Sequence, residues 1–180
     1  GLQIEGKSEI KKIVCAVTAS EDAIDAAIAQ QADVLLVHHG YFWKGEPYPI
    51  TGMRGNRIKK LIQHNISLIA YHLPLDAHPV LGNNAAIADL IGLKNLEALD
   101  SSEKHPIGNI AYLEHALSPE QFKAKLQAIF DFNVIHLPSD KPQIQKVGFC
   151  TGGAQDFINK AAQENCDAYI SGEVSERTFY

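Results

Sequence analysis

Apolar runs alternate along the chain with amphipathic segments, which is the pattern of strands alternating with helices. Most of these runs are continuous, as expected for strands that are buried on both faces. The predicted strands of the first part of the chain are 13–18, 34–39 and 67–73. The predicted helices are 21–31, 57–65 and 84–92. Because a strand, a helix and a strand in succession imply a parallel pair with a right-handed crossover, the pattern predicts an α/β fold with mostly parallel sheets and a three-layer αβα character.

The pattern changes from about Asn95 onward. A helix is predicted from Ser118 to Phe130, because Ser-Pro-Glu is a typical helix start with proline in the first turn. The segments around it that resemble strands are 96–100, 108–117 and 133–138. We therefore expect a small α+β unit at 96–142, between a first α/β unit at 1–95 and the start of a second α/β unit at 143–180.

The first pattern returns near the end of the chain, where 146–174 can be aligned with 12–40. The alignment pairs Thr18 with Thr151, Asp33 with Asp167, His38 with Gly172 and His39 with Glu173, and it needs one extra residue in the second helix region. It indicates a duplicated βαβ unit, with chance resemblance as the alternative. If the unit is duplicated, a further helix and strand are expected after Tyr180. The chain also begins at Gly1 without a methionine, so we expect it to be truncated at both ends.

Charge and cysteine content narrow the class of protein. The net charge is -5 and the 16 basic residues are scattered, which argues against nucleic acid as a partner. The densest basic group is interpreted as the solvated face of one helix in preference to a phosphate site: Arg54, Arg57, Lys59 and Lys60.

The three cysteines, Cys15, Cys150 and Cys166, show no paired spacing, so reduced and mostly buried thiols are expected. With no signal peptide and no membrane-length apolar stretch, the sequence predicts a cytoplasmic protein without membrane contact.

Two histidine clusters close two of the predicted strands. His38 and His39 end the run ADVLLVHHG, and YHLPLDAH then offers His72, Asp76 and His78. Open α/β sheets place their ligand sites at such strand ends, and imidazole with carboxylate is a ligand set for divalent transition metals. Adjacent side chains on a strand point to opposite faces, so they serve one site only at a strand end or when they bind two ions.

Roles for the remaining histidines follow from their surroundings. The sequence leaves two roles open for His72, a metal ligand or an acid–base group beside the metal. His78 is interpreted as structural. The histidines interpreted as surface or core residues are His64, His105, His115 and His136.

Two further motifs leave alternatives open. Thr151-Gly152-Gly153 precedes a predicted helix, where an anion can bind backbone N–H groups, but a tight turn explains the glycines equally well. The loop that follows His39 carries four aromatic residues: Tyr41, Phe42, Trp43 and Tyr48. They would stack on a base, cover a subunit contact, or pack over the edge of the sheet.

The motifs VHHGYFWKG, YHLPLDAHP, GNN, CTGG and ISGEVSE resemble the GTP cyclohydrolase I type 2 homologue family, also called NGG-interacting-factor-like, in its enterobacterial form. The resemblance covers nearly the whole chain. It implies a duplicated α/β fold, a toroidal homohexamer and a dinuclear metal site in each interdomain cleft. His38, His39 and Asp76 match the family's metal ligands, and His72 matches a residue near them. The remaining family ligands lie in a C-terminal H-x-x-x-E motif that falls beyond Tyr180, so this chain is expected to bind metal more weakly than one that includes it.

These observations lead to two hypotheses about function. The first is a dinuclear-metal-dependent hydrolase that uses two divalent ions (Zn, Fe, Mn or Mg) to activate water against a small molecule such as a nucleotide or a related ring compound. His72 and Glu173 are the predicted catalytic residues, and the repeat alignment places Glu173 in the same cleft as His39. The second is a non-enzymatic metal-binding adaptor in a protein complex. Coordination positions open to water would favour the hydrolase.

Overall fold

The chain is divided between two units, residues 1–74 and residues 75–180, and each contains a four-stranded sheet. The computed structural model describes residues 1–179. Helices pack against both sheets, so the predicted α/β class is confirmed. The division of the sequence into three segments at 95 and 142 stays a prediction.

The first unit is built around parallel strands. Its elements are β1 (Leu2–Ile4), β2 (Ile13–Thr18), α1 (Glu21–Ala29), β3 (Val34–His39), α2 (Gly52–Gln63) and β4 (Ser67–Ala70). The strand order is β1-β4-β3-β2, with β2, β3 and β4 parallel and β1 antiparallel to β4. Ile24 of α1 and Leu61 of α2 are fully buried against Leu35 and Leu68 of the sheet. This core fixes where β3 and β4 end.

The second unit has a mixed sheet. Its elements are α3 (Leu73–Asp76, which begins in the first unit), α4 (Asn83–Ile91), β5 (Lys94–Ala98), β6 (Asn109–Leu117), α5 (Pro119–Phe130), β7 (Ile144–Cys150), a 3-10 turn (Gln155–Phe157), α6 (Ile158–Gln163), β8 (Ala168–Ser171) and α7 (Glu176–Phe179). The order is β5-β6-β7-β8, with only β7 and β8 parallel. Parallel pairing therefore does not dominate this sheet. No helix connects β5 to β6, which pair antiparallel, and β6 and β7 also pair antiparallel although α5 lies between them.

Helices cover both faces of this second sheet. Phe122 and Leu126 of α5 pack with Val147 and Phe149 of β7, while Ala161 of α6 packs on the opposite face. The predicted αβα layering is therefore present within this unit. The Ser-Pro-Glu start is also confirmed: the Ser118 hydroxyl accepts from the Gln121 N–H at 3.2 Å, and the Gln121 side chain accepts from the Ser118 N–H at 2.9 Å.

The segment 133–138 is not a strand, contrary to the prediction. Asp131 ends α5 in the left-handed conformation, and the chain then runs irregularly to β7. No described strand pairs with the segment, and Pro138 lacks the N–H that a ladder needs. Its apolar pattern therefore reflects partial packing rather than sheet formation.

Asp33 braces the beginning of β2. Its carboxylate accepts hydrogen bonds from the backbone N–H groups of Lys11 and Lys12 at 2.9 and 3.0 Å and from Lys7 Nζ at 2.8 Å. Its own N–H donates to the Lys12 carbonyl at 2.9 Å. This aspartate brace therefore holds the entry into β3 against the entry into β2.

Asp167 forms the same brace in the second unit. Its carboxylate accepts from the N–H groups of Gln145 and Lys146 at 3.1 and 2.9 Å, and its N–H donates to the Lys146 carbonyl at 2.8 Å. The helices before the two braces also end alike, with Gln31 and Asn165 at φ values of 55° and 54°. The predicted repeat thus has a structural counterpart.

The strand register refines the sequence alignment of the repeat. Ile13 is opposite Val34 in the first unit, and Val147 is opposite Ala168 in the second. Each residue of the second pair follows its counterpart in the first by the same number of positions by which Asp167 follows Asp33. The alignment of the two repeats therefore needs no extra residue. Thr18 accordingly corresponds to Gly152 and not to Thr151.

The brace at Asp33 predicts a specific sensitivity to acid. The hydrogen bond from Lys7, followed by those from the Lys11 and Lys12 backbone, lowers the pKa of Asp33 to about 2 from 3.8. A carboxylate with a lowered folded-state pKa contributes stability that is present above its unfolded pKa and is lost as the pH falls toward the folded value. The urea midpoint of the wild type should therefore fall between about pH 4 and pH 2. Asp33→Asn should reduce that pH dependence, and a remainder should come from groups such as Asp100, whose pKa is also lowered to about 2 by hydrogen bonds from Lys160 and Ser102.

The matched control is Glu9→Gln, which removes an exposed carboxylate paired with Lys11. Urea unfolding followed by circular dichroism at several pH values makes the comparison. If Asp33→Asn keeps the wild-type slope between pH 4 and pH 2, the brace does not act through its charge.

Cysteine exposure differs from the prediction in one case. Cys150 is buried and Cys166 is partly buried, but Cys15 is exposed on β2, an edge strand of the first sheet. The mostly apolar run around Cys15 led to the wrong expectation, because one face of that strand is open. Burial raises the pKa of the Cys150 and Cys166 thiols. Within residues 1–179, no helix has the length and apolar character that a membrane crossing requires.

Candidate functional site

Three imidazole rings meet at the ends of β3 and β4. The ring centroids of His38 and His39 are 4.6 Å apart, those of His38 and His72 are 4.8 Å apart, and those of His39 and His72 are 5.4 Å apart. One nitrogen from each ring lies within 4.8 Å of the other two. All three residues are half-buried. We call this group the three-histidine cluster.

The strand register explains why adjacent histidines converge. The pairing of β3 with β4 ends at Val37 opposite Ala70, while the pairing with β2 continues to His39 opposite Thr18. His38 and His39 therefore stand beyond the last β4 pair, and His72 lies two residues after the end of β4. Side chains at such an end are not confined to opposite faces of a continuous sheet.

Hydrogen bonds from neighbouring strand ends orient two of the rings. Nδ1 of His38 lies 3.0 Å from the Tyr71 carbonyl, and Nδ1 of His39 lies 3.1 Å from the Thr18 hydroxyl. A carbonyl only accepts, so Nδ1 of His38 carries the proton and donates it. With the proton on Nδ1, the neutral form of the ring has its lone pair on Nε2, which is the tautomer that a metal ligand needs.

The donor set fits a divalent transition metal. Imidazole nitrogen suits zinc, copper, iron and nickel, whereas magnesium and calcium prefer oxygen. Zn–N distances of about 2.0–2.1 Å place the nitrogens of one tetrahedral ion roughly 3.4 Å apart. The nitrogens of the three-histidine cluster lie within 4.8 Å of one another, so the rings would have to move closer together to hold one ion. His72, for which the sequence left two roles open, lies close enough to His38 and His39 for either role, as a ligand or as an acid–base group beside the metal.

Asp76, the other predicted metal ligand, lies at the end of α3 in the second unit. Its carboxylate is buried and accepts a hydrogen bond from Asn83 Nδ2 at 2.8 Å. A buried carboxylate held in one orientation by an amide suits ligation. Its convergence with His38 and His39 stays a prediction.

Glu173, the second predicted catalytic residue, follows β8 and is exposed. Its backbone N–H donates to the Ser171 hydroxyl at 3.5 Å, and its carboxylate lies beside Gly153. The expectation that it faces the same cleft as His39 stays a prediction as well.

His78 has a structural role in the second unit. Its Nδ1 accepts from the N–H groups of Val80 and Leu81 at 3.2 and 3.0 Å. The ring thus closes the turn that leads into α4, as the structural interpretation of this histidine predicts.

The Thr151-Gly152-Gly153 motif forms a tight turn. The Thr151 N–H donates to Asn84 Oδ1 at 2.9 Å, and Gly152 has a φ of +68°, where glycine is strongly favoured. A 3-10 turn and the six-residue α6 follow. Since the Thr151 donor is already paired, the structure favours the turn over an anion site.

Only the first residue of the aromatic loop is buried. The Tyr41 hydroxyl donates to the Ala19 carbonyl at 2.6 Å, and burial raises the pKa of the phenol. Phe42 and Trp43 are partly exposed, and the Trp43 ring lies 4.8 Å from that of His72, nearly perpendicular to it.

Thr18, Tyr71 and Trp43 are site neighbours that the sequence did not assign. Tyr71 contributes its carbonyl, and a backbone group leaves no signature in a sequence. Thr18 was detectable, because it ends the strand next to His39. For Trp43 the sequence left three interpretations open: stacking on a base, a subunit contact, or packing over the edge of the sheet.

Known proteins match this chain over its whole length or nearly so, both in sequence and in structure. The sequence model described as Duf34/NIF3 (NGG1p interacting factor 3) matches residues 1–180. A protein of Vibrio cholerae named "GTP cyclohydrolase 1 type 2 homolog" is 50% identical over 100% of this chain and 72% of its own length. A protein of Haemophilus influenzae with the same name is 47% identical with the same coverage. The solved structure of the protein ybgI, described as of unknown function, is 42% identical, with a TM-score of 0.90 over 99% of this chain and 71% of its own.

Proposed function

Because the chain belongs to the Duf34/NIF3 family, we propose that it is a hydrolase that depends on two divalent metal ions and acts on a nucleotide or a related ring compound. The observation that carries the proposal is the three-histidine cluster, whose nitrogens lie within 4.8 Å of one another. The name shared by the relatives, GTP cyclohydrolase 1 type 2 homolog, supports a purine ring as the substrate class.

His38, His39 and Asp76 are the residues that would hold the ions. The two histidines offer nitrogen and Asp76 offers a buried carboxylate, a mixed set that suits zinc, iron or manganese better than magnesium. When bound, a pair of such cations lowers the pKa of a shared water and supplies hydroxide near neutral pH.

His72 and Glu173 are proposed to move protons. The His72 ring lies against both other imidazoles, so it is placed to take a proton at the site and to return it to a leaving group. Glu173 is an exposed carboxylate and suits exchange of the proton with bulk water. Asn83 keeps the Asp76 carboxylate in a fixed orientation.

The proposal predicts metal-dependent hydrolysis. With divalent metal supplied in excess, the protein should bind about two ions per chain, as expected of a dinuclear site. It should hydrolyse at least one member of a panel of purine and pyrimidine nucleotides. Chelation should abolish turnover, and adding back the metal should restore it. Elemental analysis and chromatographic detection of ring-opened or dephosphorylated products make the measurement, and light scattering on the same sample tests the homohexamer.

Tightly bound metal with no turnover across the panel would contradict the hydrolase. That outcome would favour the non-enzymatic metal-binding adaptor.

A further inference from the structure

Two exposed aromatic rings stand beside the three-histidine cluster. Trp43 is 42% exposed, and its ring centroid lies 4.8 Å from that of His72 and 6.2 Å from that of His39. Phe42, its neighbour, is 48% exposed. Two adjacent exposed rings beside candidate metal ligands form an apolar surface that a planar ligand would cover, with a gain in free energy.

Hydrogen bonds anchor the beginning of the aromatic loop. The Gln3 side chain donates to the Tyr41 carbonyl at 2.6 Å and accepts from the Tyr41 N–H at 2.7 Å. The Trp43 Nε1–H donates to the Gly40 carbonyl at 3.1 Å, which orients the indole. Phe42 adopts a φ of +65°, a strained conformation that persists only where the surroundings impose it.

The end of the loop is held as well. Arg54 of α2 pairs with the Glu46 carboxylate at 2.5 Å and donates to the carbonyls of Pro47 and Pro49. The loop between these two attachments is thus preorganised. A ligand that meets a preorganised surface does not have to order it, which increases affinity.

From this geometry we propose that Trp43 stacks on the planar heteroaromatic ring of the substrate, a nucleobase or a base-like ring, and so determines the specificity of the site. The inference rests on the proposed function, since it names the substrate class of that same site. Stacking of one base on an aromatic side chain changes affinity by roughly 5- to 150-fold. An indole oriented by its own N–H and placed beside the three-histidine cluster would put the ring of the ligand next to the candidate metal ligands.

The test uses the fact that Trp43 is the sole tryptophan of the chain. Intrinsic tryptophan fluorescence therefore reports on this position alone. Guanosine 5′-monophosphate and adenosine 5′-monophosphate should quench it saturably, whereas ribose 5-phosphate, which lacks the ring, should not. No turnover is needed for this readout.

Variants then separate stacking from other contacts. By equilibrium dialysis, Trp43→Leu should bind guanosine 5′-monophosphate roughly 5- to 150-fold more weakly, and Trp43→Phe should keep most of the affinity. Tyr48→Leu is the matched control, because Tyr48 belongs to the same loop and is 99% exposed. Its affinity should equal that of the wild type. Circular dichroism checks that each variant is folded, and its metal content checks that the three-histidine cluster still binds metal.

Saturable binding of ribose 5-phosphate with equal quenching would overturn the inference, as would wild-type affinity in Trp43→Leu or no nucleotide binding at all. Ring binding that depends on Trp43 without hydrolysis would refute the proposed function and leave the inference standing. Hydrolysis of a nucleotide at the wild-type rate by Trp43→Leu would support the proposed function and refute the inference.

Discussion

The His38→Ala protein is expected to bind divalent metal at least about 100-fold more weakly than the wild type. Loss of a residue that only orients a ligand costs roughly 10- to 100-fold in metal affinity, and removing a ligand costs more. His38 supplies one of the three clustered nitrogens, and its tautomer is set by the Tyr71 carbonyl. Competition with a fluorescent zinc chelator, at fixed pH and ionic strength, measures the change.

A graded series sharpens this expectation. Thr18→Val keeps the shape of the side chain but removes the hydroxyl that lies 3.1 Å from His39 Nδ1, so its loss should fall within the roughly 10- to 100-fold range. His64→Ala removes an exposed histidine of the first unit at the end of α2 and serves as the control. His38→Ala with an affinity within threefold of the His64→Ala control would show that the three-histidine cluster is not the metal site.

The second large effect is expected at Asn84, which is 1% exposed in the second unit. Its amide donates to the Ile107 carbonyl and to Asn109 Oδ1, and its oxygen accepts from the Thr151 N–H. Asn84→Leu keeps the branching and the number of heavy atoms of the side chain but leaves those partners unpaired. Each buried polar group without a partner costs about 1–3 kcal/mol, so a loss of about 3 kcal/mol in the free energy of unfolding is expected.

Urea unfolding at pH 7 measures this loss as a shift in midpoint with an unchanged m-value. Asn133→Ala is the matched control, because Asn133 is exposed and bonds only weakly to Gln127, at 3.3 Å. It should change stability by less than about 0.5 kcal/mol. If Asn84→Leu matches this control, Asn84 does not hold α4, the segment before β6 and the end of β7 together.

The sequence predicted the elements around the site well, for a physical reason. Val34–His39 is a continuous apolar run ended by polar residues, and that pattern belongs to a buried parallel strand whose end reaches solvent. The same reasoning predicted the next strand as 67–73, whereas β4 ends at Ala70. Parallel neighbours end at the same edge, so His38, His39 and His72 were expected to be near one another.

Other elements depended on contacts that no local pattern encodes. The helix α2 begins at Gly52, five residues before the predicted start, although two glycines in its first turn disfavour a helix. A Cβ at Gly55 would lie 2.9 Å from the Ile50 carbonyl oxygen, so close approach to the preceding loop selects glycine there. In the same way, the antiparallel partners of β6 are chosen by tertiary packing. The apolar pattern at 133–138 alone was not enough to form a strand.

For the site, the sequence named the residue types and their strand ends but not the orientation of the rings. The Tyr71 carbonyl and the Gly40 carbonyl are backbone groups, and which side chain reaches them depends on the register of neighbouring strands. The roles of Asp76 and Glu173 are still predictions, because they belong to the second unit and their relation to the histidines was inferred from motif and repeat.

The aspartate brace has a consequence for how a fold like this one diversifies over evolutionary time. In both repeats the brace acts at the beginning of the strands. The positions of the candidate site lie at the opposite end, where one copy has His38 and His39 and the other has Gly172 and Glu173. Mutations at the strand ends therefore leave the hydrogen bonds that set the register intact. The residues at a strand end can therefore differ between the two copies, imidazole in one and glycine or carboxylate in the other, without a change in the framework that holds them.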